Sequence, residues 1–203
     1  KVFVPVNDGR LVAVNADTGK ACTDFGQNGE VNLQEFMPYA YPGGYNPTSP
    51  GVVTGSTVVI AGSVTDNYSN KEPSGVIRGY DVNTGKLLWV FDTGAADPNA
   101  MPGEGTTFVH NSPNAWAPLA YDAKLDIVYV PTGVGTPDIW GGDRTELKER
   151  YANSMLAINA STGKLIWNFQ TTHHDLWDMD VPSQPSLADI KDKSGKTVPA
   201  IYV

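Results

Sequence analysis

Short runs of alternating apolar and polar residues, broken by Gly, Pro, Asn and Asp, recur along the whole chain. A period of two predicts half-buried β-strands joined by turns and gives little support to long helices. Three of these runs are copies of one another. Leu11-Val12-Ala13-Val14 leads into Asn15-Ala16-Asp17-Thr18-Gly19-Lys20. Val76-Ile77-Arg78-Gly79-Tyr80 leads into Asp81-Val82-Asn83-Thr84-Gly85-Lys86. Met155-Leu156-Ala157-Ile158 leads into Asn159-Ala160-Ser161-Thr162-Gly163-Lys164. The Asn or Asp side chain can cap the turn and the glycine accepts a positive φ, so each copy carries hairpin chemistry. The second and third copies continue into Trp-bearing strands, Leu87–Phe91 and Leu165–Phe169. The first continues more weakly, through Ala21–Phe25.

A second hairpin precedes the later two copies. Val52-Val53 turns through Thr54-Gly55-Ser56 into Thr57–Ile60, and Leu119–Tyr121 turns through Asp122-Ala123-Lys124 into Leu125–Val130. Two hairpins make a four-stranded antiparallel meander, and such meanders in series read as β-propeller blades. The chain is therefore expected to be all-β: half a blade, two whole blades and another half, about three blades in total. That is fewer than the roughly four to eight that close a ring. The pattern opens inside Val2-Phe3-Val4 and stops inside Ile201-Tyr202-Val203. Residues 1–203 are thus expected to be part of a single propeller domain, truncated at both ends. The turn glycines, at 19, 85 and 163, lie farther apart than the roughly 40–50 residues of a blade core. Long connections, 27–46, 65–74, 93–114 and 133–153, account for the difference and are where function is expected.

Composition narrows the classes. With 40% apolar and 18% charged residues the chain can bury a core. Its 21 glycines and 15 prolines suit many turns. A net charge of −8 argues against binding nucleic acid or an anionic membrane surface through this segment. The single cysteine, Cys22, excludes an internal disulfide and a thiolate metal cluster. No apolar run approaches the roughly 18 residues of a membrane span.

Chemistry concentrates in His173-His174-Asp175-Leu176-Trp177-Asp178-Met179-Asp180, where a strand gives way to a loop. A carboxylate there can serve as a general base once a substrate proton comes within reach; a solvated acidic loop explains the same composition. Loops after neighbouring strands add Asp66 and Thr136. With Asp178 they could converge as mixed oxygen ligands, which suits Ca²⁺ or Mg²⁺ rather than zinc. Trp116, just before a strand, could offer a flat face to a planar ligand. Taken singly, Asp66 reads as a turn cap, Thr136 as packing in a Gly-rich loop, and Trp116 as core.

An ordered set of motifs resembles the quinoprotein dehydrogenases, eight-bladed propellers that use pyrroloquinoline quinone (PQQ). They are Pro47-Thr48-Ser49-Pro50, Ala61-Gly62-Ser63-Val64-Thr65-Asp66-Asn67, Ser74–Gly79, Trp116-Ala117-Pro118, Thr136-Pro137-Asp138-Ile139-Trp140-Gly141-Gly142 and His173–Asp180. The nearest resemblance is to the membrane-bound glucose dehydrogenases of bacteria. It implies that Asp178 is the catalytic aspartate and also a metal ligand. It further implies that Asp66 is the acidic metal ligand, with Asn67 supporting it, and that Trp116 stacks under the quinone. Thr48 and Ser63 would supply hydroxyls to its polar rim. Thr136 occupies the position of an Asn metal ligand in related methanol dehydrogenases, a departure that weakens the expected donor. His173 and His174 could line the substrate mouth, and Asp175 and Asp180 would support the loop.

The resemblance implies oxidation of the C1 hydroxyl of glucose or another aldose to a lactone, with ubiquinone as electron acceptor. It places the domain at the periplasmic face of the bacterial inner membrane, attached only through a segment outside this chain. A fragment of this kind is expected to be inactive alone. Two other readings share the blade pattern: a PQQ alcohol dehydrogenase, and a non-catalytic propeller scaffold. The scaffold gives no reason for Asp66, Thr136 and Asp178 to occur together.

Overall fold

The computed structural model describes residues 1–203 and is almost entirely β. β1 (Val2–Val6), β2 (Arg10–Val14) and β3 (Glu30–Asn32) form a three-stranded antiparallel sheet. The next sheet is a four-stranded meander. Along this stretch run β4 (Tyr45–Asn46), β5 (Val52–Val53), β6 (Thr57–Ile60), β7 (Ser63–Val64), β8 (Ile77–Asp81) and β9 (Leu87–Phe91). The order in the sheet is β5-β6-β8-β9, while β4 and β7 pair separately as a small ribbon. The third sheet, again four-stranded, contains β10 (Ala120–Asp122), β11 (Ile127–Pro131), β12 (Ser154–Asn159) and β13 (Leu165–Gln170) in that order. One helical turn, α1 (Glu146–Glu149), interrupts the connection between β11 and β12. A last hairpin joins β14 (Ser186–Lys191) to β15 (Thr197–Tyr202).

The three repeated turns form as their residues dictate. Asn15, Asp81 and Asn159 each accept backbone and hydroxyl hydrogen bonds from the threonine three residues on, at 2.7–3.1 Å. Gly19, Gly85 and Gly163 then take φ of +68°, +72° and +71°. The hairpin β14–β15 turns in the same way on Asp192 and Gly195, a further use of this chemistry that the three-copy reading passed over.

One expected strand is absent. Ala21–Phe25 makes only a single bridge, Val14 to Ala21, and the third place in the first sheet goes to Glu30–Asn32. The segment peels off because its end docks on the second sheet: Phe25 is fully buried, and the Gly26 amide donates to the Thr84 carbonyl at 2.8 Å.

The sheets face one another, so central strands are buried on both sides and their alternation sorts residues between two cores. On β6, Val58 and Ile60 join Leu11, Phe25 and Tyr45 against the first sheet. Val59 turns the other way, to meet Trp89, Val128 and Leu156. On β11 and β12, Val128, Val130, Leu156 and Ile158 face the second sheet. Ile127, Tyr129, Met155 and Ala157 face Val181 and the last hairpin. Trp89 locks the second sheet to the third, its indole donating to the Ala160 carbonyl at 3.0 Å. It lies flat across Gly79, where any Cβ would sit 2.2 Å from the ring. This series of antiparallel sheets, two of them complete four-stranded meanders, is the expected propeller segment.

Candidate functional site

The loops after β7, β11 and β13 and the turn before β10 come together at one end of the stack. The loop after β13 is built on Asp175, which is buried. Its Oδ1 accepts from the Trp177 amide at 2.8 Å, and its Oδ2 accepts from the Met179 amide and from the side chain of buried Asn153. This cap bends the chain sharply and leaves Asp178 at φ +58°, the left-handed region. For a non-glycine residue that conformation costs about 1–2 kcal/mol. The strain falls on the residue whose carboxylate the loop presents to solvent.

Arg144 fixes this loop to its neighbour. Its guanidinium, 1% exposed, donates to the carbonyls of Asp175, Pro137 and Asp138. Asp138 is clasped on the far side by Asn67. The Asp138 amide donates to Asn67 Oδ1 at 3.1 Å, and Asn67 Nδ2 donates to Asp138 Oδ2 at 3.4 Å. Asn67 itself sits at φ +51° immediately after Asp66.

The result is a concentration of negative charge. The Asp66 carboxyl is pushed up to about 6 by loss of solvent and by repulsion from Asp178 and Asp180. Asp138 is pushed up to about 8 by burial and by repulsion from Asp66, Asp178 and Asp180, with Arg144 pulling the other way. Burial also raises Asp180, against the hydrogen bonds from Trp116 and Val134.

Trp116 stands beside this cluster. Its neighbours Ala115 and Ala117 are buried, but the indole stays partly exposed and belongs to no core cluster. Its N–H donates to Asp180 Oδ2 at 2.5 Å, which fixes the ring, while the Val134 amide donates to Asp180 Oδ1 at 2.9 Å. Gly133 makes room for this: a Cβ there would lie 2.4 Å from the Asp180 carboxylate.

The expected rim hydroxyls are close by. Thr48 Oγ1 and Ser49 Oγ both donate to the Trp116 carbonyl, at 2.9 and 2.5 Å, and Ser63 Oγ donates to the Asn46 carbonyl at 3.4 Å. Thr48 thus supports Trp116 directly and must rotate to donate to a ligand. Thr136 is 1% exposed, and both its hydroxyl and its carbonyl accept from Asn111 Nδ2, at 2.8 and 3.0 Å. His174 pairs with Glu149 at the end of α1, and His173 is exposed.

The structure thus brings Asp66, Asp178, Asp180 and Trp116 to one place and adds Asp138 and Arg144, which the sequence reading did not single out. A carboxylate two residues beyond Thr136, and one arginine in a Gly-Gly-Asp-Arg turn, were the available signals. Carboxylates that raise one another's pKa suit the oxygen-ligand chemistry of a hard divalent cation. One of them, Asp138 Oδ1, is buried with no hydrogen-bond partner. No three His, Cys, Asp or Glu side chains close around a common point at ligating distance. The half-open, edge-anchored face of Trp116 suits a planar ring. Two clefts lie elsewhere: one of about 590 Å³ beside Asp8 and Tyr41, and one of about 440 Å³ between Tyr129 and the last hairpin.

All of residues 1–203 match the PQQ family described as glucose/ethanol/alcohol dehydrogenase, β-propeller domain, and the chain belongs to that family. It is 97% identical over 203 residues to quinoprotein glucose dehydrogenase A of Acinetobacter calcoaceticus, covering 100% of this chain and 25% of that protein. It is 63% identical over 202 residues to the quinoprotein glucose dehydrogenase of Escherichia coli strain K12, again 100% of this chain and 25% of that protein. A europium-containing methanol dehydrogenase shares the fold at a TM-score of 0.74 and 21% identity, over 98% of this chain and 35% of that one. The chain spans about a quarter of the length of the curated relatives it matches.

Proposed function

We propose that the protein carrying this chain is a PQQ- and divalent-cation-dependent aldose dehydrogenase. It would oxidise the C1 hydroxyl of glucose or a related sugar to a lactone and pass the electrons to ubiquinone. The observation that carries this reading is the 97% identity, residue for residue along the chain, with a protein named as a glucose dehydrogenase. The same proposal places the domain at the periplasmic face of the inner membrane. No helix of this chain is long and apolar enough to cross a membrane, so that attachment would lie in a segment outside it.

PQQ, when bound, would supply the two-electron oxidant, and a Ca²⁺ or Mg²⁺ ion beside it the Lewis acidity that polarises it. The residues of this chain do the rest. Trp116, fixed through its N–H by Asp180, would support one face of the ring, with Thr48 and Ser63 at its rim. Asp66, Asp178 and the Thr136 loop would hold the cation. Asp178 is the base: its exposed carboxylate accepts the proton of the sugar hydroxyl while Asp175 and Arg144 hold its loop still. His173 and His174 stand at the mouth of the same loop.

The test is steady-state oxidation by the full-length protein, reconstituted with PQQ and Ca²⁺ or Mg²⁺, with a dye as acceptor. Glucose should be turned over with higher kcat/KM than ethanol or glycerol, and the product should hydrolyse to an aldonic acid. A preference for the simple alcohols would favour the alcohol dehydrogenase reading. No PQQ-dependent turnover with any of them would favour a scaffold.

A further inference from the structure

The loop after β11 brings two oxygen-bearing side chains toward the carboxylate cluster, and the structure commits one of them elsewhere. Thr136 is packed inside the fold with Asn111 Nδ2 donating to both its hydroxyl and its carbonyl. What remains is a neutral hydroxyl with little freedom to turn.

Asp138 is different. It is 4% exposed, and three contacts fix its position: its amide donates to Asn67 Oδ1, its Oδ2 accepts from Asn67 Nδ2, and its carbonyl accepts from Arg144. Its Oδ1 is buried and has no donor at all. A buried carboxylate oxygen without a partner carries a desolvation penalty that a native fold ordinarily offsets. No side-chain cation hydrogen-bonds it: the Arg144 guanidinium attracts the charge but is directed at three backbone carbonyls. The Asp66, Asp178 and Asp180 carboxylates are near enough to repel the Asp138 charge, and Asp66 lies within side-chain hydrogen-bonding reach of it. Asp180 is already engaged by two donors, the Trp116 indole and the Val134 amide. Without a cation, only a proton can join the Asp66 and Asp138 carboxyl groups. An immobilised carboxylate whose buried oxygen has no other donor is a group that a hard cation with oxygen ligands can take over from that proton.

We propose that Asp138, through Oδ1, is a direct ligand of the divalent cation shared by Asp66 and Asp178, and that Thr136 positions the loop through Asn111 without ligating. This rests on the reading above that the protein holds such a cation. A third carboxylate raises the ligand charge, which is a main determinant of divalent-cation affinity.

The experiment is calorimetric titration of Ca²⁺ into the full-length, PQQ-loaded, chelator-stripped protein, with four forms compared: wild type, Asp138→Asn, Asp138→Glu and Thr136→Val. Asp138→Asn keeps the shape and the Asn67 contact and should weaken Ca²⁺ binding at least about tenfold. Asp138→Glu should retain more of the affinity, and Thr136→Val should stay within about twofold of wild type. Asp138→Asn within twofold of wild type overturns the inference, as does a Thr136→Val loss equal to that of Asp138→Asn. Should Asp138→Asn not fold, a crystal structure of the Ca²⁺-loaded wild type decides. Asp138 Oδ1 within roughly 2.3–2.6 Å of the ion supports the inference, and a water between them overturns it. Wild type that binds neither Ca²⁺ nor Mg²⁺ removes the cation reading itself, and this inference with it.

Discussion

The indole N–H of Trp116 donates to Asp180 Oδ2 at 2.5 Å, while the other oxygen of the same carboxylate accepts the Val134 amide. One aspartate therefore sets the plane of the ring and anchors the start of the loop that carries Thr136 and Asp138. Its two oxygens serve two donors, which an amide cannot do. Asp180→Asn must leave either the indole or the Val134 amide facing an NH₂ group. A buried donor left without an acceptor costs about 1–3 kcal/mol. Urea denaturation of the full-length protein should show a stability loss of that order, with PQQ affinity weakened. A midpoint unchanged from wild type would mean that this hydrogen bond contributes nothing.

Trp116 itself should matter through its ring face. Trp116→Ala should weaken PQQ binding by roughly tenfold or more, since stacking contributes about 0.5–1.5 kcal/mol beyond the area it buries. Trp116→Phe should lose less. Equilibrium titration followed by absorbance reads both, and equal affinity in wild type and Trp116→Ala would leave the residue with a packing role only.

Most of the fold was legible in the sequence because its determinants are local. The Asn15, Asp81 and Asn159 turns are made by residues within four positions of one another, so their pattern reports their structure. Ala21–Phe25 misled because its fate is decided by a distant partner, the Thr84 carbonyl that takes the Gly26 amide. The site divides in the same way. Asp66, Trp116 and Asp178 stand in motifs that can be read along the chain. The roles of Asp138 and Arg144 are set by Asn67 and by the Asp175 carbonyl, partners 71 and 31 residues away. The donor shared by the Thr136 hydroxyl and carbonyl, Asn111, could not be anticipated from sequence either.

Acidity offers a further check. Asp66 and Asp138 are raised to about 6 and about 8, so the folded protein without cation holds protons that the unfolded chain has already released. The folded state binds more protons between about pH 4 and 8, and stability must fall as pH rises across that window. In chelator, the urea midpoint of wild type should therefore drop from pH 5.5 to pH 8, and Asp138→Asn should drop less. Saturating Ca²⁺ should flatten the wild-type dependence, because the cation takes the place of the protons. A wild-type midpoint that rises between those pH values in chelator would contradict the assignment.

The 203-residue chain alone should associate. Its last strands present apolar surface, with Phe169 66% exposed, Tyr202 78% and Ile190 50%, and sheet edges of this kind pair readily. Sedimentation should show concentration-dependent species, and thermal unfolding should be broad. A sharp melt independent of concentration, from a monomer, would show that the blades are self-sufficient.

Asp178 as the base gives the sharpest test. Its carboxylate is exposed at the tip of a loop held by Asp175 and Arg144, and its backbone is strained at φ +58°. Asp178→Asn keeps the size and one carbonyl oxygen, so PQQ should still bind and the loop should keep its shape. What it removes is the proton acceptor, and general-base catalysis is typically worth about 10²–10⁴-fold. The rate of glucose oxidation per bound PQQ should fall at least about a hundredfold at saturating cation. Asp175→Asn separates this from a loop effect. Asp175 is buried and accepts from Asn153 and two loop amides, so its variant should lose stability and some rate, yet far less rate than Asp178→Asn. If Asp178→Asn stays within a few-fold of wild type per bound PQQ, the proton goes to another group and Asp178 is a structural residue of its loop.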